Sequence, residues 1–320
     1  MSTAVKTRKP RKSAKASAEQ SAAKVDALVA ETANAIIELL EAGDPGTWLQ
    51  PWINTSGASI LDPVNAATKG RYTGFNPWRL AYASHVSGYS LGIWATYKQW
   101  DGLGAQVRKG ETGTTCIRWV TIYSKADADA APADPAARSK SFVVPKVFTL
   151  FAAEQVDGYE VPEREAFDWD GDEAADGWFS TVPADVRHGG NRAYYAPVQD
   201  YVQVPERDSF KSGHDYYATL AHELTHWTGG ADRLNRNLKG RFGDDAYAIE
   251  ELIAELGSAT LCAHLGLSST PRPDHAQYLA CWIKVLKEDP RAIIKVTGDA
   301  GRAVEHLLSY GAEADPESGE

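Results

Sequence analysis

The sequence predicts an α+β chain with two domains, a small α+β domain followed by a mostly helical domain with a small sheet. Its length of 320 residues is enough for two ordinary domains. Stretches with apolar residues at helical spacing occur in both halves, whereas β-rich stretches are few and short. The polar segment 156–172 separates the two sets of elements and is the predicted linker. It divides the folded chain into domains over 18–155 and 173–312.

Three helices and a hairpin are predicted in the first domain. The first helix carries apolar residues at helical spacing and ends before Gly43. The dipeptide Asn76-Pro77 begins the second helix, with Asn76 as its cap and the proline in its first turn. An Ala-, Asp- and Pro-rich insertion, 126–138, interrupts the hairpin. The predicted helices cover 18–42, 76–87 and 97–102, and the predicted strands cover 114–124 and 141–151.

Six helices and two short strands are predicted in the second domain. A long helix there ends where Gly229-Gly230 interrupts the helical pattern. The helices are expected near 173–182, 213–228, 245–265, 274–287, 290–296 and 298–310, and the strands are expected near 193–196 and 201–204.

A metal-binding motif lies on that long helix. The run His222-Glu223-Leu224-Thr225-His226 has two imidazoles four residues apart, which brings them to one face of a helix. Two imidazoles from one helix can hold a tetrahedral Zn²⁺. Glu223 can then act as general base toward a metal-bound water whose pKa the metal has lowered. The motif predicts a zinc-metallopeptidase-type site, with Zn²⁺ as the expected metal and Mn²⁺ or another divalent ion as the alternative.

A third protein ligand is expected, because catalytic zinc usually takes three. Glu251 and Glu255 are four residues apart on the next helix and share a face, whereas Glu250 points about 100° away. We favour Glu251 as the ligand and Glu255 as the residue that orients a histidine through its distal nitrogen. Both are therefore predicted metal-site residues together with His222 and His226. The other histidines have no second partner at ligand spacing.

The first domain is rich in aromatic and basic residues. The net charge of −10 argues against attraction of the whole protein to nucleic acid, but residues 44–125 hold eight Lys and Arg against four Asp and Glu. Proteins that bind single-stranded nucleic acid combine a positive groove with aromatic stacking platforms. The predicted DNA-binding residues are Lys69, Arg71, Trp78, Arg79, Trp94, Lys98, Trp100, Arg108 and Lys109.

The two ends of the chain are expected to be a disordered basic tail over 1–17 and an acidic tail over 313–320. The first residues lack the apolar stretch of a secretory signal, and no apolar run is long enough to cross a membrane. We therefore expect a cytoplasmic protein without a membrane partner. Three cysteines with no CxxC spacing disfavour both a disulfide scaffold and a thiolate zinc site.

Several long sequence strings are typical of one family. They are YTGFN at 72–76, WATYKQW at 94–100, LGAQVRKGE at 103–111, HELTHWTG at 222–229 and EELIAE at 250–255. In these strings the chain resembles the ArdC-type antirestriction proteins of plasmids and phages, and the resemblance covers residues 20–310.

The resemblance implies a first domain that binds single-stranded DNA and a second, zincin-like metallopeptidase domain. It also implies a protein that shields incoming mobile DNA from host restriction. The ExxAE run at 251–255 is similar to the ExxAD run of other zinc peptidases, whose first carboxylate is the ligand, and this similarity supports Glu251. Because the last residue is Glu255 and not Asp, the order of the two roles stays open.

Two other functions fit the same residues. The alternative is a zinc endopeptidase that acts on a protein target, with the first domain only localising it to DNA. A third hypothesis is a binding protein whose metal site is structural. In either case, we expect the strand around 200–204 to lie along the cleft and to pair with a peptide as an added strand.

Overall fold

The computed structural model describes residues 14–41, 59–123, 141–162, 173–210, 212–238, 245–267 and 275–313. The helices are α1 Ala14–Glu41, α2 Phe75–Ser87, α3 Tyr97–Gly102, α4 Glu173–Ser180, α5 Gly213–Thr228, α6 Asp245–Leu265, α7 His275–Glu288 and α8 Ala292–Glu313. The strands are β1 Val64–Asn65, β2 Ile93–Ala95, β3 Gln106–Val107, β4 Thr114–Tyr123, β5 Ser141–Ala152, β6 Val156–Asp157, β7 Asp185–His188, β8 Tyr194–Ala196 and β9 Tyr201–Val204.

Three small sheets contain these strands. The first has the order β1-β2-β5-β4, and its two long strands, β4 and β5, form an antiparallel hairpin. The second is the antiparallel pair β3 and β6. The third has the order β7-β9-β8, in which β7 runs parallel and β8 antiparallel to the central strand β9. None of the helices in the described ranges is long and apolar enough to cross a bilayer.

One apolar cluster joins the two halves of the chain. From the first half it includes Val29 of α1 and Trp78 of α2, and from the second half Leu252 of α6, Trp282 of α7 and Val296 of α8. Each fully buried side chain of this size contributes about 1.5–3 kcal/mol relative to exposure. The two halves are therefore held together by a common core.

A second apolar cluster lies within the second half. It contains Phe179 of α4, Val202 of β9, Leu220 of α5, Leu261 of α6 and Leu307 of α8. The cluster packs α5 against the third sheet on one side and against α6 and α8 on the other. Helices α5 and α6, which carry the predicted metal ligands, are thus fixed relative to each other.

The predicted α+β class with two domains is confirmed, but some elements differ from the prediction. Asn76 does not cap α2: Gly74 has the capping position, and the Asn76 side chain bonds to the backbone N–H and oxygen of Ile117 in β4. The helices predicted over 290–296 and 298–310 form one helix, α8. The short strands β1, β2, β3, β6 and β7 were not predicted, because two to four residues show too little alternation.

The predicted domain bounds stay a prediction. Helix α1 begins at Ala14, inside the predicted basic tail, and residues 1–13 lie outside the described part of the chain. The insertion 126–138 and most of the acidic tail 313–320 also lie outside it, as do residues 163–172 of the predicted linker.

Candidate functional site

Helix α5 carries the two predicted histidine ligands. The helix begins after its cap, Ser212, whose hydroxyl accepts a hydrogen bond from the backbone N–H of Asp215, and it ends at the cap Gly229. Its apolar residues, Leu220 among them, pack in the same cluster as Val202 of β9. This packing turns the apolar face inward and fixes the rotation of the helix, so the direction of the histidine side chains is fixed as well.

The imidazoles of His222 and His226 converge. Their Nε2 atoms are 3.1 Å apart, and their ring planes make an angle of 76°. Two nitrogens that each bind one tetrahedral Zn²⁺ at about 2.0–2.1 Å would be about 3.3 Å apart, so the observed separation suits a shared ion.

Glu251 of α6 completes a group of three ligands. One of its carboxylate oxygens lies 3.6 Å from Nε2 of His222, and the other lies 3.6 Å from Nε2 of His226. The ligand atoms of the three residues all lie within 4.8 Å of one another. Within the described ranges, this is the one group of His, Cys, Asp and Glu side chains with such spacing.

The chemistry of this group fits a divalent cation. Burial opposes the ionisation of Glu251, but a hydrogen bond with His222 and the charges of both histidines outweigh burial and lower the pKa of Glu251 to about 2. Tyr247, one turn earlier on α6, also bonds to this carboxylate. Two imidazoles and one carboxylate are a donor set that suits Zn²⁺ and related ions.

Each histidine has a carboxylate at its other ring nitrogen. An oxygen of Glu255 lies 2.9 Å from Nδ1 of His222, and an oxygen of Glu250 lies 3.1 Å from Nδ1 of His226. Such contacts fix the tautomer and orientation of a metal-binding histidine. Glu255 thus lies behind His222 and is not one of the three converging ligands. Sequence reasoning assigned Glu250 no role in the site, but α6 crosses α5 so that Glu250 and Glu251 contact the two nitrogens of the His226 ring.

Arg236, in the segment after α5, holds Glu250 in place. Its guanidinium donates to both oxygens of Glu250, at 3.0 and 2.7 Å. It also donates to the hydroxyl of Thr228 and to the backbone oxygen of Thr225, near the end of α5. Burial opposes the ionisation of Glu250, yet hydrogen bonds with His226 and Arg236 lower its pKa below the usual value. Sequence reasoning missed Arg236, since no spacing rule relates it to the motif.

The predicted metal ligands line a cleft of about 470 Å³. Glu223, the predicted general base, is buried and lines the cleft together with both histidines. The cleft also contains residues of β8, of the segment after α5 and of α6. The lining residues from these elements include Tyr194, Tyr195, Asn237, Leu238, Tyr247 and Glu251.

Strand β8, and not β9, borders the cleft. The sequence predicted a peptide-pairing strand around 200–204, but β9 is paired on both sides, with β7 and with β8. In the described part of the chain, β8 is paired only with β9, and its Tyr194 and Tyr195 line the cleft. The prediction was wrong because the order of strands in a sheet cannot be read from the residue pattern of one strand.

A set of contacts ties β8 to the end of α5. Arg233 lies over the ring of Trp227, 4.1 Å from the ring centre, and it donates to the carboxylate of Asp200 and to the hydroxyl of Tyr195. Asp200 lies between β8 and β9 with a φ of 56°. Burial and the hydrogen bond with Asp200 raise the pKa of Tyr195 to about 12. These contacts hold the edge strand against the end of α5.

Three tryptophans that were predicted to stack on DNA bases are core residues. Trp94 and Trp100 are 0% exposed, and Trp78 is 4% exposed. A buried indole offers no face to a base, so these three predictions were wrong. The indole N–H of Trp100 is itself satisfied inside the fold, by the backbone oxygen of Phe151.

The predicted basic residues fall into two groups. Arg71, Arg79 and Arg108 are each paired with a carboxylate of the protein, which balances their charges. The three predicted lysines are exposed, and they are Lys69, Lys98 and Lys109.

Two exposed aromatic residues were missing from the predicted DNA-binding set. Tyr97 is 50% exposed and Trp119 is 49% exposed. Tyr97 precedes Lys98 in α3, and Gln99 of the same helix bonds to Asn65, which begins the loop that carries Lys69. An exposed ring and exposed lysines thus occur on neighbouring elements. No sequence signal separates these rings from the buried tryptophans.

Two family models match the chain. A model described as the N-terminal domain of the anti-restriction factor ArdC matches residues 26–151. A model described as a zincin-like metallopeptidase matches residues 173–299.

Similar proteins extend over most of the chain. The protein y4eC of Sinorhizobium fredii is 41% identical over 284 residues, which are 87% of this chain and 91% of that protein. A DNA primase TraC of Escherichia coli is 37% identical over 291 residues, which are 88% of this chain but only 27% of the primase.

Solved structures of one protein resemble the whole fold. The metal-free crystal structure of the antirestriction ArdC protein from plasmid R388 is 36% identical, with a TM-score of 0.70, over 89% of this chain and 98% of that one. The Mn(II)-bound structure of the same protein is 35% identical, with a TM-score of 0.71, over 90% and 99% of the two chains. Because a model of the ArdC N-terminal domain matches the chain, and because a solved ArdC protein that is 36% identical is covered over 98% of its length, the chain belongs to the ArdC family of antirestriction proteins.

Proposed function

We propose that this protein protects mobile DNA from restriction, binds single-stranded DNA through its first half and carries a zinc-dependent peptidase centre in its second half. The observation that supports the peptidase centre most directly is the convergence of His222, His226 and Glu251 in a cleft that Glu223 also lines. An edge strand borders the same cleft, as a site for an extended peptide requires.

Glu223 is the proposed general base. A bound Zn²⁺ would supply Lewis-acid chemistry, polarising a substrate carbonyl and activating water. The carboxylate of Glu223 takes a proton from the attacking water and delivers it to the departing amine. Glu255 and Glu250 keep the rings of His222 and His226 oriented through their Nδ1 atoms.

The proposed substrate is an extended peptide segment that pairs with β8. The outer edge of this strand faces no other strand among the described residues, so its backbone groups can bond to an added strand. Tyr194 and Tyr195 line the cleft beside it. The contacts of Arg233 with Asp200 and Tyr195 hold β8 in position relative to α5.

The metal is testable independently of any substrate. We expect wild-type protein to bind about one equivalent of Zn²⁺ and His222→Ala to bind none, because removing one of three protein ligands leaves an incomplete site. Mn²⁺ is the alternative, since the R388 protein has been solved in a Mn(II)-bound form. Metal analysis after equilibration with both ions distinguishes the two, and equal metal content in both proteins would contradict the proposed site.

The proposed DNA-binding surface contains the exposed lysines of the first half. Lys69, Lys98 and Lys109 are exposed, and Tyr97 provides an exposed ring beside Lys98. The E. coli DNA primase TraC contains a segment similar to this chain, which favours a role close to DNA. The test is binding of single-stranded DNA over a salt series: affinity must fall as salt rises, and absent binding at low salt would contradict the proposal.

A zinc endopeptidase that is only localised by DNA is the second candidate, and the cleft beside an edge strand favours it. Glu223→Ala separates the two functions, because it removes the base and leaves all three metal ligands. If protection of incoming DNA requires Glu223, proteolysis is the function and DNA binding serves it. If protection survives in Glu223→Ala and is lost when DNA binding is lost, shielding of DNA is the function.

A further inference from the structure

The β4–β5 hairpin extends beyond the core of the protein. Its inner end is packed, since Ile117 lies in the apolar cluster shared by the two halves and Val147 packs against that cluster. From Ile117 to Tyr123, the two strands stay paired in register over six further residues, a length of about 20 Å. We call this part, residues 118–123 and 141–146, the outer hairpin.

One face of the outer hairpin is apolar and exposed. Because side chains alternate along a strand, Trp119 lies on the same face as Ile117 two residues earlier. Trp119 is directly opposite Pro145, and Val143 follows on the same face of β5. Trp119 is 49% exposed and Val143 is 61% exposed. The face that is packed at the inner end therefore continues into solvent as an apolar surface.

The other face carries two like charges at one position of the ladder. Arg118 and Lys146 are directly opposite each other, and both are exposed. Like charges at directly opposed positions destabilise an antiparallel pair. Among the described residues, no carboxylate lies within ion-pair distance of either side chain. An anionic ligand would remove the repulsion between them.

We propose that the outer hairpin is a single-stranded DNA-binding arm, on which Trp119 stacks with a base while Arg118 and Lys146 contact phosphates. An exposed indole with neighbouring cations is the combination that such binding uses. The inference rests on the proposed DNA binding of the first half and adds a second element to the surface around α3. Because the outer hairpin is only two strands wide, the nucleic acid can contact both the face with Trp119 and the face with Arg118 and Lys146.

The same strand connects the two parts of this surface. Tyr97 of α3 contacts Phe151 near the end of β5, with ring centres 6.3 Å apart. Lys146 lies five residues earlier on β5, about 17 Å along the strand. A short stretch of single-stranded DNA can therefore reach both the arm and the surface around Tyr97.

The test measures the affinity of full-length variants for fluorescent oligodeoxythymidine over a salt series. Trp119→Ala should bind at least about 5-fold more weakly at every salt concentration, because a stacking contact is lost. Trp119→Phe, which keeps an aromatic face, should retain most of the affinity. The double variant Arg118→Ala/Lys146→Ala should lower the slope of log affinity against log salt by about 1.4, since two phosphate contacts are lost.

The matched control is Lys287→Ala/Lys295→Ala, which removes the same charge from exposed positions on α7 and α8. It should leave the slope unchanged. If wild type binds DNA and both Trp119→Ala and the double variant bind as tightly as wild type, the outer hairpin is not a DNA-binding arm, and the proposed DNA binding of the first half stands. If wild type does not bind DNA, the proposed role of the outer hairpin and the proposed DNA binding of the first half are both wrong. If Trp119→Ala changes only the oligomeric state, measured by light scattering, the apolar face of the outer hairpin binds a second copy of the chain and not DNA.

Discussion

At the scale of single residues, His226 is contacted at both ring nitrogens by adjacent residues of α6. Glu251 lies at Nε2, where a metal would bind, and Glu250 lies at Nδ1. Arg236 adds two hydrogen bonds to Glu250 and is itself almost fully buried. The orientation of one ligand thus depends on a chain of contacts that reaches the segment after α5.

We expect Arg236→Lys to weaken metal binding by about 10- to 100-fold, the usual effect of losing a residue that orients a ligand. A lysine keeps the charge but cannot bond to both oxygens of Glu250 or also reach Thr228 and Thr225. Glu250→Gln should have a similar effect, because it weakens the contact with Nδ1 of His226. Metal affinity is measured by competition with a chromophoric chelator.

Arg233→Lys is the control for this prediction. Arg233 also lies near the end of α5, but within the described part of the chain its side chain contacts Trp227, Asp200 and Tyr195, none of which is a proposed metal ligand. Its replacement should leave metal affinity within a few-fold of wild type. Thermal unfolding in chelator reports stability without metal. If Arg236→Lys lowers this stability but binds metal as tightly as wild type, Arg236 has only a structural role.

At the scale of elements, the site depends on how closely α6 approaches α5. Gly257 of α6 lies against Thr225 of α5, so a Cβ added at Gly257 would lie 2.6 Å from Cγ2 and 3.0 Å from Oγ1 of Thr225. Thr225 is fully buried, and its hydroxyl donates to the backbone oxygen of Ala221. A glycine is needed here because no larger residue fits between the two helices.

Gly257→Ala should therefore move α6 away from α5 and separate Glu251 from the histidines. We expect the free energy of unfolding to fall by about 1–3 kcal/mol, as in other overpacked cores, and metal affinity to fall with it. Urea unfolding and metal competition measure the two effects.

Two further variants make this prediction specific. Adding Thr225→Ala removes the atoms that the new methyl would meet, so the double variant should recover metal affinity. Gly298→Ala in α8 is the control, since its nearest neighbour is the guanidinium of Arg302 at 3.6 Å. Gly298→Ala should change the free energy of unfolding by no more than about 1 kcal/mol, and in the direction of higher stability, because alanine has a higher helix propensity than glycine. Equal losses in Gly257→Ala and Gly298→Ala would contradict the close approach of the helices.

The sequence could predict individual helices, but it could not predict how α5 and α6 pack against each other. The spacing of His222 and His226 predicted their common face, because the period of a helix is a local property. The contact of Glu250 with His226 depends on the crossing of α5 and α6, which no local pattern contains. The exposure of Trp119 and the burial of Trp94 likewise depend on which elements pack over each residue. Local periodicity therefore predicted the elements, and tertiary packing decided the roles of these residues.

At the scale of the whole molecule, a polar contact joins the two halves beside their common core. Asp62, from the segment before β1, contacts both Arg71 and His264, and His264 is one residue before the end of α6. Burial alone would raise the pKa of Asp62, but the hydrogen bonds and charges of His264 and Arg71 outweigh it and lower this pKa. Asp62 therefore links the first half to α6, the helix that carries Glu251, the proposed third metal ligand.

This arrangement predicts how stability depends on pH. A carboxyl whose pKa is lower in the folded state stabilises the fold above the pKa of the unfolded chain, about 4. The contribution is lost as pH falls through the folded-state pKa. We expect Asp62→Asn to lower the free energy of unfolding by roughly 1–3 kcal/mol at pH 7, because the buried carboxylate that pairs with the partly exposed Arg71 and His264 is removed.

The difference between wild type and Asp62→Asn should shrink as pH falls below about 4, because Asp62 is then protonated in the unfolded chain before it is protonated in the folded protein. Urea midpoints at pH 7, 5, 4 and 3 measure it. Asp185→Asn, which affects an exposed ion pair with Arg187, is the control and should have little effect at any pH. A difference that stays constant or grows toward low pH would mean that the Asp62 carboxylate does not hold the halves together. Metal affinity measured on wild type and Asp62→Asn would report whether α6 keeps its position without the contact between Asp62 and His264.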